Sequence, residues 1–447
     1  MKKFNTIDEL LKYTENIKGH TFRDFDKNGK LEENLKRNKG ALGQVIEEVF
    51  YGYPPNNIAK ADFDNLGVEL KVTGFIKNKN GTVSAKERLV LSKIDYNSIV
   101  EEKFDFSKLL FKNRKLLIIW YEYEKGKSPA DFVIQNFQLY DMDEHGDIAV
   151  IKNDFEIIKQ KVITGTAHEL SEGLTSYLGA APKGINSLDV TSQPNSGEMA
   201  MKRAYALKNS YMTGVLRSVK FTFEADGTEY KTIEEYVFAQ VSKFIGKTQM
   251  TIYEELFKDN YKAKIPKNLN KMISDEVIGK DNELPEKNEL FSKTNYVIKN
   301  IPVNEHNYPL ERMSFRNLVL SEFEEEWEDS RWKNYFEEIT FIVLLYEGDK
   351  KTITNGFRTF KDIKKITFNA DDVELFGRTY NMVREAIRTQ DISKLPYPKV
   401  IDGQVLEIAP KGLKNADAYN HFFDKDVTKV CFMIDKDFIF KKLIEDG

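Results

Sequence analysis

The sequence predicts a mixed α/β protein made of two tandem domains of one plan, each a mixed sheet flanked by helices. Three observations carry that expectation. A chain of 447 residues is too long for one ordinary core. Short motifs then recur in the same order in both halves: "GVELKVTGF", "ERLVLSKI", "RKLLIIWYEYEKG" and "GAAPKGINS" in the first, "NYVIKNIPV", "FRNLVLSEF", "ITFIVLLYEGDK" and "EIAPKGLKN" in the second. Their spacing also repeats, because Lys71 precedes Lys183 by 112 residues and Lys299 precedes Lys411 by 112.

Element by element, "MKKFNTIDELLKY" reads as an amphipathic helix rather than a leader, having no apolar central stretch. "LGQVIEEVFYG" places apolar residues at 42, 45, 46, 49 and 50, the spacing of one helix face. "DFDNLGVELK" is a turn running into a strand, and "KNKNGTV" at 77–83 is a hairpin turn. Runs rich in Val, Ile, Leu and aromatics at 68–73, 88–93 and 115–122 predict buried strands. The join falls near 221–231, where "FEADGTEYK" carries turn residues, giving domains at 1–220 and 221–447. Thr232 followed by Glu235 has the pattern of a capping box opening the next helix.

Composition narrows the class. Hydrophobic residues make up 41% and charged residues 31%, and no apolar run approaches the roughly 18 residues of a membrane span. A single cysteine, Cys431 in "VCFMI", excludes a disulfide framework and a Cys-rich zinc site and is expected in the core. A cytoplasmic protein with no membrane partner is expected. The net charge of −4 neither supports nor excludes a nucleic-acid partner, since metal-binding carboxylates can offset a basic groove. The five histidines show no metal-ligand spacing; His168, in "AHELSEG", is expected to be structural.

The chemistry concentrates in V-E-L-K. Alternation along a strand puts Glu69 and Lys71 on one face and Val68 and Leu70 on the other. Asp62 precedes them across a turn. Two carboxylates, together with the Leu70 carbonyl, offer the hard oxygen ligands that suit Mg²⁺ in phosphodiester hydrolysis. Lys71 is placed to orient or deprotonate a water and to stabilise developing negative charge. Glu101/Lys103 and Glu229/Lys231 have the same spacing, so E-x-K alone also fits a solvated face.

"KGALGQVIEEVFYG" followed by "DFDNLGVELK" resembles the MutH-type nucleases, in which a helix glutamate precedes D-x6-E-x-K. "SAKERLVLS", "AHELSEGLTSYL", "RAYALK" and "YMT" resemble the longer GATC-cutting restriction endonucleases of the Sau-three-A-I type, across residues 35–220 and more loosely beyond. The resemblance implies two restriction-endonuclease-like domains in tandem and a Mg²⁺-dependent type II enzyme acting on duplex DNA at 5'-GATC-3', cutting 5' of the G. It makes Asp62 and Glu69 metal carboxylates, Lys71 the catalytic lysine and Glu47 the supporting helix glutamate, with Glu48 facing away. Asp64 has the wrong spacing and is left as a turn residue. Lys112 matches a lysine five residues after a serine, with Arg114 as its rival.

The same resemblance puts A-P-K-G at the family's base-reading loop, with Lys183 as base contact and Pro182 and Gly184 shaping the loop. Ala181 stands where MutH proteins carry an arginine and Ala206 where they carry a tyrosine, so individual base contacts do not transfer. Arg203 and Lys208 are candidates for phosphate contact or solvated helix charges. In the second half Val297 replaces Glu69, Lys299 remains, and Val241, next to Gln240, falls near the place of Glu47. A-P-K-G persists around Lys411. That pattern implies a non-cutting copy that binds a second GATC site, in a dimer or two-site complex on DNA, with a companion methyltransferase protecting the host. A mismatch-repair nickase and a non-cleaving GATC-binding regulator remain the alternatives.

Overall fold

A computed structural model of the chain describes residues 2–27, 29, 31–37, 40–53, 60–77, 83–144, 147–183, 189–217, 224–225, 228–229, 233–258, 266, 268–278, 296–348, 356–398, 403–411 and 415–445. It forms two compact units. One comprises Met1–Leu170, Thr175–Lys231 and Ser292–Thr294; the other comprises Ser171–Leu174, Thr232–Phe291 and Asn295–Gly447.

In the first unit, β1 (Val68–Lys77), β2 (Val83–Ala85), β4 (Lys115–Glu122) and β5 (Ile134–Asp141) form a sheet in the order β2-β1-β4-β5. Strand β4 runs parallel to β1 and antiparallel to β5. Leu116 to Tyr121 are all buried, as an uninterrupted apolar run requires of a central strand covered on both faces. A second, antiparallel sheet joins β3 (Leu89–Lys93), β9 (Arg203–Leu207) and β6 (Leu178–Pro182), with Pro182 opposite Arg203. Between them lie the short ribbon β7 (Val190–Thr191) with β8 (Ala200–Met201) and the helix Ile148–Ile163. Another ribbon, β10 (Glu224–Ala225) with β11 (Thr228–Glu229), occupies the expected join. Residues 78–82 of the expected hairpin turn and Thr232 of the expected capping box lie outside the described residues, although Lys77 does pair with Val83. One face of the main sheet packs the N-terminal helix Ile7–Thr14 and the helix beginning at Ala41, through Leu10, Ile46, Tyr51, Val68, Leu117 and Ile119.

The second unit repeats the plan. Strand β12 (Tyr296–Val303) runs parallel to β14 (Thr340–Glu347) over eight register pairs, as β1 does to β4, and β15 (Thr359–Ile366) is antiparallel to β14. A second sheet orders β13 (Met313–Val319), β17 (Val427–Ile434) and β16 (Leu406–Pro410). Its core gathers Phe336, Phe341, Val343, Phe376, Ile408 and Phe432, and Cys431 is buried as expected. Lys71 pairs with Ile118 in β1–β4 and Lys299 with Val343 in β12–β14, so Val297 does occupy the Glu69 position.

The pairing of helices differs from the sequence expectation. Gly19 N–H donates to the Ile134 carbonyl and Thr21 bridges Val133; Gly246 N–H donates to Phe360 and Thr248 bridges Thr359. Helix Ile233–Val241 therefore corresponds to Ile7–Thr14, and Val241 is not the counterpart of Glu47. Helix Leu269–Val277 takes that place instead, with Ser274 Oγ accepting from Asn300 Nδ2 on β12.

Candidate active site

The D-x6-E spacing is a consequence of backbone geometry. Phe63 and Val68 form an antiparallel bridge, closed by Phe63 N–H to Val68 O at 2.9 Å and Val68 N–H to Phe63 O at 3.3 Å. Between them Asp64–Leu66 makes one tight helical turn, and Gly67 leaves it at φ 64°, a conformation that costs glycine little. One step outward from the bridge, Asp62 faces Glu69, and Asp62 Oδ2 accepts the Leu70 N–H at 3.0 Å. Asp64 points away and pairs with Lys60 at 2.9 Å.

Glu69 is only 3% exposed. Its Oε1 lies 2.9 Å from Lys71 Nζ and 3.4 Å from Lys112 Nζ. Lys112 reaches it from the short helix Lys108–Asn113, whose start is capped by Ser107 Oγ accepting the Leu110 N–H. The rival Arg114 is bound to Asp143 instead. Glu47 sits on a π-helical turn, Ile46–Tyr51, that continues the α-helix Ala41–Val45. Such wide turns recur at functional sites because they redirect one side chain. Glu48 turns to Gln44 at 2.7 Å.

The electrostatics of the cluster are short of positive charge. Burial, then the charges of Asp62 and Glu69, push Glu47 up to about 7. Burial and Glu69 push Asp62 up to about 6 against the Leu70 N–H and the two lysines. Glu69 Oε2 is buried and accepts no hydrogen bond among the described residues. A hard divalent cation fits this donor set, since it would take the orphaned oxygen and relieve the repulsion. The groups that would hold it are Asp62, Glu69 and the Leu70 carbonyl. Among the described residues no group of three or more His, Cys, Asp or Glu stands at metal-holding spacing. The set in question has two carboxylates and one carbonyl, with Glu47 behind.

The DNA-reading candidates divide. Lys183 is exposed beyond β6, its N–H donating to the Lys202 carbonyl at 2.8 Å, and Pro182 ends that strand; Gly184 lies outside the described residues. Arg203 and Lys208 correct the sequence reading. Arg203 is 2% exposed and donates to the Ala180 carbonyl at 2.6 Å; Lys208 is 1% exposed and donates to the Thr175 carbonyl. Both cations brace the strand that carries Lys183 and cannot reach a phosphate. Lys411 is exposed at the matching end of β16, its Nζ resting on the Phe315 carbonyl at 2.9 Å. His168 is structural in kind, bonded through Nδ1 to Gln193.

One residue went unnoticed in the sequence. Asp154, fully buried on helix Ile148–Ile163, accepts the N–H groups of Ser176, Tyr177 and Leu178, which lead into β6. Its signal was an acid on an otherwise apolar face, between Val150, Ile151, Phe155 and Ile158.

The family model "DNA mismatch repair enzyme MutH" matches residues 51–154, the span that holds Asp62, Glu69, Lys71 and Lys112. The first unit thus contains a MutH-like domain. DNA mismatch repair protein MutH of Shewanella woodyi is 29% identical over 216 residues, 47% of this chain and 91% of that protein. MutH of Actinobacillus pleuropneumoniae is 26% identical over 216 residues, 47% and 93%. The type II restriction enzyme Sau3AI of Staphylococcus aureus is 34% identical over 426 residues, covering 89% of this chain and 82% of that enzyme. The chain belongs to the Sau3AI family of type II restriction enzymes. Among the described residues no helix is long and apolar enough to cross a membrane.

Proposed function

We propose that this protein is a Mg²⁺-dependent type II restriction endonuclease that recognises 5'-GATC-3' in duplex DNA and hydrolyses the phosphodiester on the 5' side of the G. The observation that carries this reading is the convergence of Lys71 and Lys112 on the buried Glu69 carboxylate, with Asp62 held beside it by the Leu70 N–H. Bound Mg²⁺ supplies charge neutralisation on the phosphate and a more acidic water. Asp62, Glu69 and the Leu70 carbonyl would hold it, and Glu47 would support them. Lys71 Nζ, ion-paired with Glu69, orients the attacking water and stabilises the negative charge that develops, and Lys112 fixes Glu69 from the other side. Lys183 reads base edges, with Pro182 and Gly184 shaping its loop.

Residues 1–220 form the cutting domain on this reading and residues 221–447 an effector domain. Val297 leaves the second copy without a carboxylate at the Glu69 position, while Lys411 keeps its place at the end of β16. That copy binds a second GATC and helps pair two sites, and a companion methyltransferase protects the host's own sites. Incubation with Mg²⁺ and plasmids bearing one or two GATC sites tests this directly, beside Glu69→Ala. Fast double-strand cutting of the two-site plasmid, slow cutting of the other and none by the variant are expected. Cutting that survives Glu69→Ala would displace the active site. Equal rates on both plasmids would remove the effector role, and nicking alone would favour a repair enzyme.

A further inference from the structure

Two aromatic side chains beside the catalytic cluster stand in solvent. Phe106 is 87% exposed and Phe111 66%, while their neighbours Phe104, Leu109 and Leu110 are buried. Phe106 closes the short turn Phe104–Phe106, and Phe111 lies on the helix Lys108–Asn113, next to Lys112. A cleft of about 660 Å³ opens beside them, lined in part by Leu66, Gly67, Lys108 and Lys115. Leu66 and Gly67 belong to the turn that sets Asp62 against Glu69, so the cleft reaches the turn next to the cluster.

The second unit supplies an internal control. Ser330 caps helix Arg331–Glu338 as Ser107 caps Lys108–Asn113, and the turn Trp327–Asp329 precedes it as Phe104–Phe106 does. Counted from the two caps, buried Trp327 corresponds to buried Phe104, Asp329 to Phe106 and Asn334 to Phe111. The fold therefore accepts polar residues at both positions. Exposed phenylalanines occur there in the unit that carries the carboxylates and not in its degenerate copy.

We propose that Phe106 and Phe111 are DNA-contacting residues that pack on sugar and base edges flanking the scissile phosphodiester. This rests on the nuclease reading above. Charge favours a nucleic acid over an apolar protein surface at this spot. Asp105 is paired with Lys152, Asp141 with Lys115 and Asp143 with Arg114, so the acids of the cleft are neutralised. Lys108 is exposed with no ion-pair partner among the described residues, and stands one helical turn before Lys112 on the same side. A cation beside two bare aromatic rings suits a polyanion whose interior offers apolar faces, where such side chains act as wedges or stacking platforms.

The test uses the full-length protein in EDTA with a short duplex containing one GATC and 2-aminopurine at the base step flanking the cut. The doubly substituted Phe106→Asn, Phe111→Asn protein is compared with wild type and with Phe106→Leu, Phe111→Leu. The asparagine pair should unfold at the wild-type temperature, bind about 10- to 100-fold more weakly and lose the fluorescence change of the probe. The leucine pair should keep most of the affinity. Unchanged binding and cutting by the asparagine pair would overturn the proposal. So would unchanged DNA binding with loss of self-association in sedimentation, which would give the patch to a second copy of the chain. If wild type itself neither binds nor cuts the duplex, the nuclease reading falls first and takes this inference with it.

Discussion

Replacing Asp154 should unfold strand β6 of the first unit before it harms anything else. The carboxylate is fully buried, with Oδ1 accepting from Ser176 N–H at 2.8 Å and Oδ2 from Tyr177 and Leu178 N–H at 2.6 and 2.9 Å. Alanine strands three buried donors, each costing about 1–3 kcal/mol without a partner. It also removes the negative charge that faces the buried Lys208 ammonium. Water entering the vacated space returns part of the loss, leaving about 4–6 kcal/mol net, within the range for breaking a buried network. For a unit of this size that is roughly 10–20 °C in melting temperature. Asparagine should fare little better, because its amide would turn a donor toward an N–H. Calorimetry on the full chain checks this: one transition should fall by that amount while the other stays. Hydrogen exchange should locate the loss at residues 176–178. A shift below about 1 kcal/mol, or an equal fall in both transitions, would refute the reasoning.

Two further perturbations separate charge from packing. Glu47 has a folded-state value near 7 because of burial and the charges of Asp62 and Glu69. A carboxylate whose value is raised on folding contributes stability below about pH 4.5 that is lost as pH climbs through 7. Glu47→Gln should therefore be more stable than wild type at pH 8 in EDTA, by about 1–2 kcal/mol once partial exposure is discounted, and no more stable near pH 4. Equal melting temperatures at pH 8 would count against it. In the second unit, a Cβ at Gly377 would lie 2.5 Å from Trp327 Nε1 in a packed core. Gly377→Ala should cost about 1–3 kcal/mol. It should lower two-site cutting before one-site cutting; equal loss on both plasmids would sever the link to an effector role.

The parts of the molecule that were legible are those where one residue's neighbours in sequence decide its surroundings. Leu116 to Tyr121 form a continuous apolar run, which only a doubly covered strand satisfies, and they are buried throughout. Asp62 and Glu69 are tied by a turn too short to take many shapes. What failed depended on distant partners. Nothing local says whether Ile233–Val241 or Leu269–Val277 docks against β12, because several helices share the same apolar spacing. Arg203 and Lys208 read as surface charges, and only the arrival of the Ala180 and Thr175 carbonyls lets them be buried. The π turn at Ile46–Tyr51 was invisible too, since its i→i+5 bonding carries no residue signature of its own.

The duplication also shows that a charge cluster cannot lose one member without the others moving. In the second unit Val297 takes the Glu69 position on an unchanged register. Lys299 donates to the Ser314 carbonyl at 2.7 Å and stands 5.7 and 5.6 Å over the rings of Phe315 and Phe341. Around it Phe315 packs against Trp332, Tyr335 and Phe336. Tyr335 is the fifth residue after the cap, as Lys112 is in the first unit. Two polar positions have thus become apolar together, and the space that holds acids and bases in one copy is packed with rings in the other. Restoring a carboxylate by Val297→Glu would set a charge among those rings, and catalysis should not follow.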